Sequence, residues 1–422
     1  MTTFLLFGTF VLLMLLKIPL AFAMGLACIV VALFSPSLSL TFIAQSLVTS
    51  TDSFALMAIP FFVLAGELMG KGGISKRLFN FINVFVGRMY GGTAITAVIT
   101  CMFFAAISGS GPATVAAVGG MMIPMMLEEG YDKRFVTALI ATAGALGIII
   151  PPSIPLVLFG VGSSTSIGDL FKGGLLPGIF IGICLALYTY FYSKKHNYKG
   201  NPEPFSFKRL GTSFKDAIWA LLVPVIILGG IYGGIFTPTE AAVVAVFYSL
   251  FVSLFIYKGV KIKDLIPILK DAAASSATIL IVIGTATAFG TIMSIERIPE
   301  IIANSMLALS SSPLVIMFII VVVLLIVGMF MDTSAAVVIF TPILFPIAQQ
   351  IGIDPIHFGV LMISTLAIGF ITPPVGVNLF VSMSISKTTM VEIVSYVIPF
   401  LLVCLAALLI LMAFPQITLL LL

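Results

Sequence analysis

The 422-residue chain is 60% hydrophobic and only 9% charged, with a mean hydropathy of +1.26, whereas soluble domains carry about 25% charged residues. That excludes a soluble globular enzyme and describes a chain that crosses the lipid bilayer repeatedly. The formal net charge of +4 is explained by cytoplasmic loops rather than by nucleic-acid binding.

Helices are predicted over residues 4–16 and 18–34, then a polar stretch over 35–53 without Lys or Arg, then a helix over 54–70. The first apolar run leads through Lys17-Ile18-Pro19 straight into the second, so it reads as part of the fold and not as a secretory leader. Basic residues arrive together at Lys71, Lys76, Arg77 and Arg88. The segment 76–88 mixes them with Phe79, Phe81, Ile82, Val84 and Phe85, the pattern of an amphipathic helix lying along the membrane surface.

Residues 92–107 and 113–127 are apolar but only about 15 long, short of the roughly 20 that a spanning helix needs. Between them lies Ser108-Gly109-Ser110-Gly111-Pro112-Ala113-Thr114, and both flanks are polar. This predicts a re-entrant hairpin that enters and leaves on one face, two short spans being the alternative. From Phe135 a long apolar segment runs to Gly162, broken at Pro151-Pro152-Ser153, where the rings remove amide donors and restrict the preceding residue. A helix over 173–193 and a hydrophilic linker over 194–217 follow.

The second half repeats the plan, with helices over 218–235, 239–257 and 273–294, a surface helix over 296–309, and a hairpin over 313–351 tipped by Met331-Asp332-Thr333-Ser334-Ala335. A broken segment over 357–385 containing Pro373-Pro374 and a last helix near 389–413 complete it. At a constant offset of 222 residues, Pro124 meets Pro346, Asp132 meets Asp354, Gly147 meets Gly369, Pro151 and Pro152 meet Pro373 and Pro374, Pro177 meets Pro399, and Ser110 falls opposite Asp332. Five crossings per half is odd, so the second half is inverted relative to the first. With both termini outside, eighteen of the twenty basic residues fall on inside loops, leaving Lys172 and Arg297 outside, as the positive-inside rule requires. The expected fold is an all-α polytopic membrane protein of two inverted repeats of five transmembrane helices, each with a re-entrant hairpin and a broken helix, divided as 1–193 and 218–422 around the linker.

Non-helical backbone survives at membrane depth only where protein buries it or where it lines a cavity, and there it can hold an ion. Hydroxyls at the tips and carbonyls freed before Pro151 and Pro373 offer neutral oxygens, and Asp332 adds one carboxylate. That set suits Na+ better than Zn2+. Asp332 has a second reading as a cap on the helix after it, and the two roles are compatible. Glu240 reads as a first-turn cap, Glu67 as an ion pair with Lys71, and Thr372 and Asn378 either line a substrate cavity or bond to helix carbonyls. Cys28, Cys101, Cys184 and Cys404 stand singly as small core residues, and His196 and His357 read as loop residues. No Walker pattern, nucleophile with a base, or metal cluster is present in the sequence, so ATP hydrolysis and enzyme chemistry are not expected. Polar residues concentrate in two central patches, which favours a carrier over a channel.

At these residues the chain resembles the large membrane subunit of the tripartite ATP-independent periplasmic (TRAP) transporters, within the wider ion-transporter superfamily. The likeness runs through Ile59-Pro60-Phe61-Phe62 with Gly66-Glu67, Ser108 to Thr114, Gly147 to Ser153, Phe236 to Ala242, Gly328 to Ala335 and Thr372 to Asn378. The resemblance implies sodium-coupled uptake of a carboxylate-bearing organic anion, such as a four-carbon dicarboxylate or a sugar acid like sialic acid, across the bacterial inner membrane. It implies an elevator in which scaffold helices 1–75 and 218–294, with surface arms 76–88 and 296–309, hold transport elements 92–193 and 313–422. Partners would be a small four-helix membrane subunit and a soluble periplasmic binding protein; a stand-alone carrier of the same fold is the alternative. The resemblance places Na+ at Ser108, Ser110, Gly147 and Pro151 in one half and at Asp332, Thr333, Ser334, Gly369 and Thr372 in the other. Substrate would meet Gly109, Gly111, Thr114, Pro152, Ser153, Pro374 and Asn378.

Overall fold

Inside a bilayer every backbone amide needs a partner within the protein, so apolar runs of this length fold as helices. A computed structural model of the chain describes residues 2–34, 38–200, 206–310 and 312–422, and every regular element among them is helical. In chain order these are α1 (Thr2–Leu15), α2 (Leu20–Phe34), α3 (Leu40–Thr49), α4 (Ala58–Lys71), α5 (Ile74–Val86), α6 (Gly92–Ser108), α7 (Gly111–Glu128), α8 (Lys133–Gly144), α9 (Leu146–Ile149), α10 (Ile154–Ser163) and α11 (Ile167–Lys195). The second half holds α12 (Phe207–Tyr232), α13 (Pro238–Phe251), α14 (Leu265–Ile295), α15 (Ile298–Leu309), α16 (Pro313–Phe330), α17 (Thr333–Gln350), α18 (Pro355–Gly369), α19 (Val377–Ser386), α20 (Met390–Ala413) and α21 (Gln416–Leu419). Among the described residues, 9 helical segments are long and apolar enough to cross a membrane, both arms of the second hairpin included.

Three boundaries differ from expectation. The stretch over 35–53, read as polar with no helix assigned to it, contains α3, whose N-terminus Ser39 caps by accepting the Phe42 amide at 3.1 Å; residues 35–37 lie outside the described residues. The helix expected from 218 begins at Phe207, because Phe214 packs its ring on Phe81 of α5, with centroids 5.8 Å apart, and draws the basic turn into the helix. The linker is correspondingly shorter, and its residues 201–205 are outside the description. His357 is not in a loop: Asp354 caps α18 through the amides of Ile356 and His357, so His357 sits in the first turn, buried, with Nδ1 3.2 Å from the Thr418 hydroxyl of α21.

The core runs along α8, α9 and α18, which are buried over almost their whole length. Each hairpin packs partly on the opposite half: α7 lies against α19 as well as α8, and α17 lies against α10 as well as α18. A second group, α2, α4, α13 and α14, packs together at the side of this centre, with α5 laid across α6 and α12.

Asp132 and Asp354 both cap the helix that leads into a proline break. Arg134 reaches back to the Asp132 carboxylate at 3.1 and 2.7 Å, and its amide adds a bond at 2.8 Å. These bonds hold the Asp132 carboxyl down at about 2. Asp132→Ala is expected to cost roughly 1 kcal/mol in detergent melts, the usual worth of a lost cap. Because the folded value is depressed, the difference from wild type is fully present above the unfolded carboxylate value of about 4 and fades as pH falls toward the folded one.

Candidate functional site

At the first hairpin, α6 ends on Gly109, whose φ of 60° is a left-handed conformation that glycine adopts without penalty. Ser110 then caps α7, accepting the Ala113 amide at 3.5 Å. The tip is closed on itself. Ser108 Oγ and Thr114 Oγ1 are 2.9 Å apart, and the Ser110 carbonyl accepts from Thr114 Oγ1 at 2.8 Å and from Ser108 Oγ at 3.3 Å. It is tied to the first proline break through Ile154, whose amide donates to the Gly109 carbonyl at 3.4 Å. Ser153 caps α10 and donates its hydroxyl to the Ile148 carbonyl.

The second tip is built differently. Asp332 caps α17, and both amide bonds, from Ser334 at 2.8 Å and Ala335 at 3.4 Å, go to Oδ1. The Oδ2 lone pairs receive neither of these capping bonds. Beside it Thr333 Oγ1 is buried without a hydrogen-bond partner. A buried hydroxyl left in that state is costly unless something else meets it. The second break mirrors the first in sequence: both Pro151-Pro152 and Pro373-Pro374 are joined by cis peptide bonds. They differ in surroundings, the first pair being buried and Pro374 exposed.

Glycines bring tip and break together in each half. A Cβ on Gly147 would fall on the Thr114 hydroxyl and lie 2.6 Å from the Ser110 carbonyl, and one on Gly369 would lie 2.6 Å from the Gly328 Cα. Backbone therefore packs directly on backbone at the two positions related by the 222-residue offset.

The two tips meet on one cavity of 310 Å³, although they stand more than two hundred residues apart in sequence. Gly109, Ser110 and Gly111 line it from one side and Asp332, Thr333 and Ser334 from the other. None of the remaining expected site residues lines it: Ser108, Thr114, Gly147, Pro151, Pro152, Ser153, Gly369 and Asn378 are buried, Thr372 is half-buried and Pro374 is exposed. Thr372, just past the end of α18, donates its hydroxyl to the Ile368 carbonyl of that helix at 2.8 Å. Asn378 donates to the Ala141 carbonyl of the other half at 3.2 Å, and its Oδ1, packed against Gly111, has no partner. Both thus bond to helix carbonyls, one of their two expected uses.

One wall was not foreseen. Ser275, Thr278 and Ile279 of α14 complete the cavity. The signal was present as Ala272-Ala273-Ala274-Ser275-Ser276-Ala277-Thr278, a run of small and hydroxyl residues inside an apolar helix. Elsewhere, Glu240 forms a reciprocal capping box with Thr237. Glu67 lies 3.7 Å from Lys71, which pairs more closely with Asp271 at 2.8 Å.

Residues 7–417 match the family described as "Tripartite ATP-independent periplasmic transporter, DctM component". The isethionate TRAP transporter permease protein DctMQ of Oleidesulfovibrio alaskensis is 47% identical over 412 residues, covering 98% of this chain, which spans 65% of that relative's length. The C4-dicarboxylate TRAP transporter large permease protein DctM of Rhodobacter capsulatus is 38% identical over 433 residues, covering 99% of this chain and 98% of its own. The sialic acid TRAP transporter large permease protein SiaM of Vibrio cholerae is 36% identical over 403 residues, covering 96% and 94%. In fold, the crystal structure of the Alcanivorax borkumensis YdaH transporter superposes with a TM-score of 0.67 at 14% identity over 91% of this chain and 90% of that one. Family match, full-length relatives and transporter fold agree, and the chain belongs to the DctM component family of the tripartite ATP-independent periplasmic transporters.

Proposed function

We propose that this chain is the membrane-spanning carrier of a sodium-coupled system that takes up a small organic anion. The observation that carries the reading is the shared cavity, where two broken tips from distant halves face each other with a carboxylate, an unpartnered threonine hydroxyl and freed backbone around them. These are groups a monovalent cation could satisfy, and they fit better at the second tip, since the hydroxyls of the first already bond one another. Asp332, Thr333 and Ser334 would hold Na+ there, with Gly369 and Thr372 carbonyls behind. Ser108, Ser110, Gly147 and Pro151 would hold a second ion only after the Ser108–Thr114 bond opens. Bound Na+ supplies positive charge that offsets Asp332 and lets an anion approach. The anion would lie across Gly109 and Gly111, with Thr114, Pro152, Ser153, Pro374 and Asn378 shaping the backbone around it.

The 222-residue correspondence of the two proline breaks and the packing of each hairpin partly on the opposite half support two inverted repeats. Such repeats would move in an elevator cycle, with both termini periplasmic in the inner membrane. The names of its relatives supply candidate substrates: isethionate, a sulfonate, and C4-dicarboxylate or sialic acid, which are carboxylates. A small four-helix membrane subunit and a periplasmic binding protein would complete the system.

The test is uptake into proteoliposomes that hold this chain, the small subunit and the binding protein. Accumulation is expected to require an inward Na+ gradient and the binding protein. Uptake indifferent to removing that gradient would sink the coupling, and uptake by the chain alone would favour a stand-alone carrier.

A further inference from the structure

A second cavity, of 670 Å³, adjoins the first. Its walls are the turn between α1 and α2, the middle of α14 and the flank of the second hairpin tip, and it shares Thr278, Ile279, Asp332 and Ser334 with the smaller cavity. The lining is mostly apolar. It carries two charged side chains, Asp332 on the hairpin and Lys17 on the turn opposite.

Lys17 is placed there by local structure. The Lys17 amide donates to the Met14 carbonyl at 2.9 Å and the Ile18 amide to the Leu13 carbonyl at 3.1 Å, the bond pattern that closes a helix on a left-handed residue. Lys17 has φ 62° at a position where glycine would be unstrained. The conformation by itself argues for no ligand, since Lys258, Arg297 and Lys387 adopt it too and a helix C-terminus favours a cation. Lys17 differs in its outlook: it faces a chamber that also contains Asp332, and it is absent from the ion pairs among the described residues.

We propose that Lys17 holds the anionic group of the substrate in this larger chamber. Its ammonium pairs with a carboxylate or sulfonate, while the substrate body extends from the larger chamber past Thr278 and Ser334, which line both cavities, toward the Gly109–Gly111 tip. Asp332, neutralised by its bound cation, faces the substrate from the other side. The inference rests on the reading of the chain as an organic-anion carrier and adds a residue that reading does not use.

The experiment compares wild type with Lys17→Gln, Lys17→Gly and Lys17→Arg in the assembled transporter. Binding of succinate and isethionate to the purified complex is measured by calorimetry in NaCl, the half-saturation of Na+ binding is measured separately in the absence of anion, and uptake is followed in proteoliposomes. Lys17→Gln and Lys17→Gly are expected to weaken binding of the preferred anion about tenfold or more, the scale of a lost charge-assisted contact, while Lys17→Arg stays close to wild type. Na+ half-saturation is expected to stay near the wild-type value in all three. Lys17→Gly separates charge from strain, because it relaxes the turn while removing the ammonium. Unchanged anion binding in both neutral variants, or a Na+ half-saturation that moves in step with it, would overturn the proposal. If the wild-type complex binds an anion and the neutral variants do not, yet no uptake occurs, the site stands and the transport reading fails.

Discussion

Asp332→Asn is expected to raise the Na+ concentration for half-maximal uptake about tenfold to a hundredfold, equivalent to roughly 1.4–2.8 kcal/mol. The substitution separates the two roles of this residue. Asparagine is as good a helix cap as aspartate, so its side-chain oxygen can keep the amide bonds of Ser334 and Ala335 and the fold should persist. What disappears is the negative charge beside the unpartnered Thr333 hydroxyl, which is the strongest electrostatic attraction the cavity offers a cation. Ser110→Ala should have a smaller effect, since the Ser110 hydroxyl makes a long 3.5 Å capping bond and contributes no charge. A sodium titration of uptake in proteoliposomes reads both. Unchanged sodium affinity in Asp332→Asn would return the residue to a purely capping role, and equal defects in both variants would argue against two separate half-sites.

The features legible in the sequence were those fixed by local chemistry. Prolines, glycines and caps declare themselves by residue type, so the breaks at Pro151-Pro152 and Pro373-Pro374 and the tips at Ser110 and Asp332 could be placed to the residue. What escaped was set by packing across the chain. Ser275 and Thr278 look like ordinary small residues of a helix until the second hairpin is laid against α14. Lys17 is the loop charge the sequence indicates, exposed in the α1–α2 turn, but nothing local tells that this turn lines one chamber with Asp332. His357 reads as a loop residue, because neither the burial of α18 nor the contact with Thr418 at the far end of the chain is visible locally. The same limit applies within the expected site. Residue type identified Asn378 and Ser153 as polar groups in apolar surroundings, but not that one would brace the Ala141 carbonyl and the other the Ile148 carbonyl.

Gly147→Ala and Gly369→Ala are expected to bring uptake down about a hundredfold or to background, the penalty that a displacement of roughly 1 Å imposes on a positioned site. On Gly147 the new methyl would stand 2.6 Å from the Ser110 carbonyl and on top of the Thr114 hydroxyl; on Gly369 it would meet the Gly328 backbone at 2.6 Å. Neither obstacle is the free end of a flexible side chain. The Thr114 hydroxyl is bonded to Ser108 and to the Ser110 carbonyl, and Gly328 belongs to the arm of the second hairpin, so the tip itself must shift. Overpacking of this kind costs about 1–3 kcal/mol in stability, which a protein of this size survives, so the variants should still be purified folded and fail in ion binding or movement. Gly120→Ala, in α7 of the first hairpin, supplies the control: nothing lies within 4 Å of its added methyl, and alanine is the better helix former by roughly 1 kcal/mol. If all three variants transport alike, the close backbone approach does not position the site; if only Gly147→Ala and Gly369→Ala fail, the two breaks act as matched supports for their tips, each working through the absence of a single side chain.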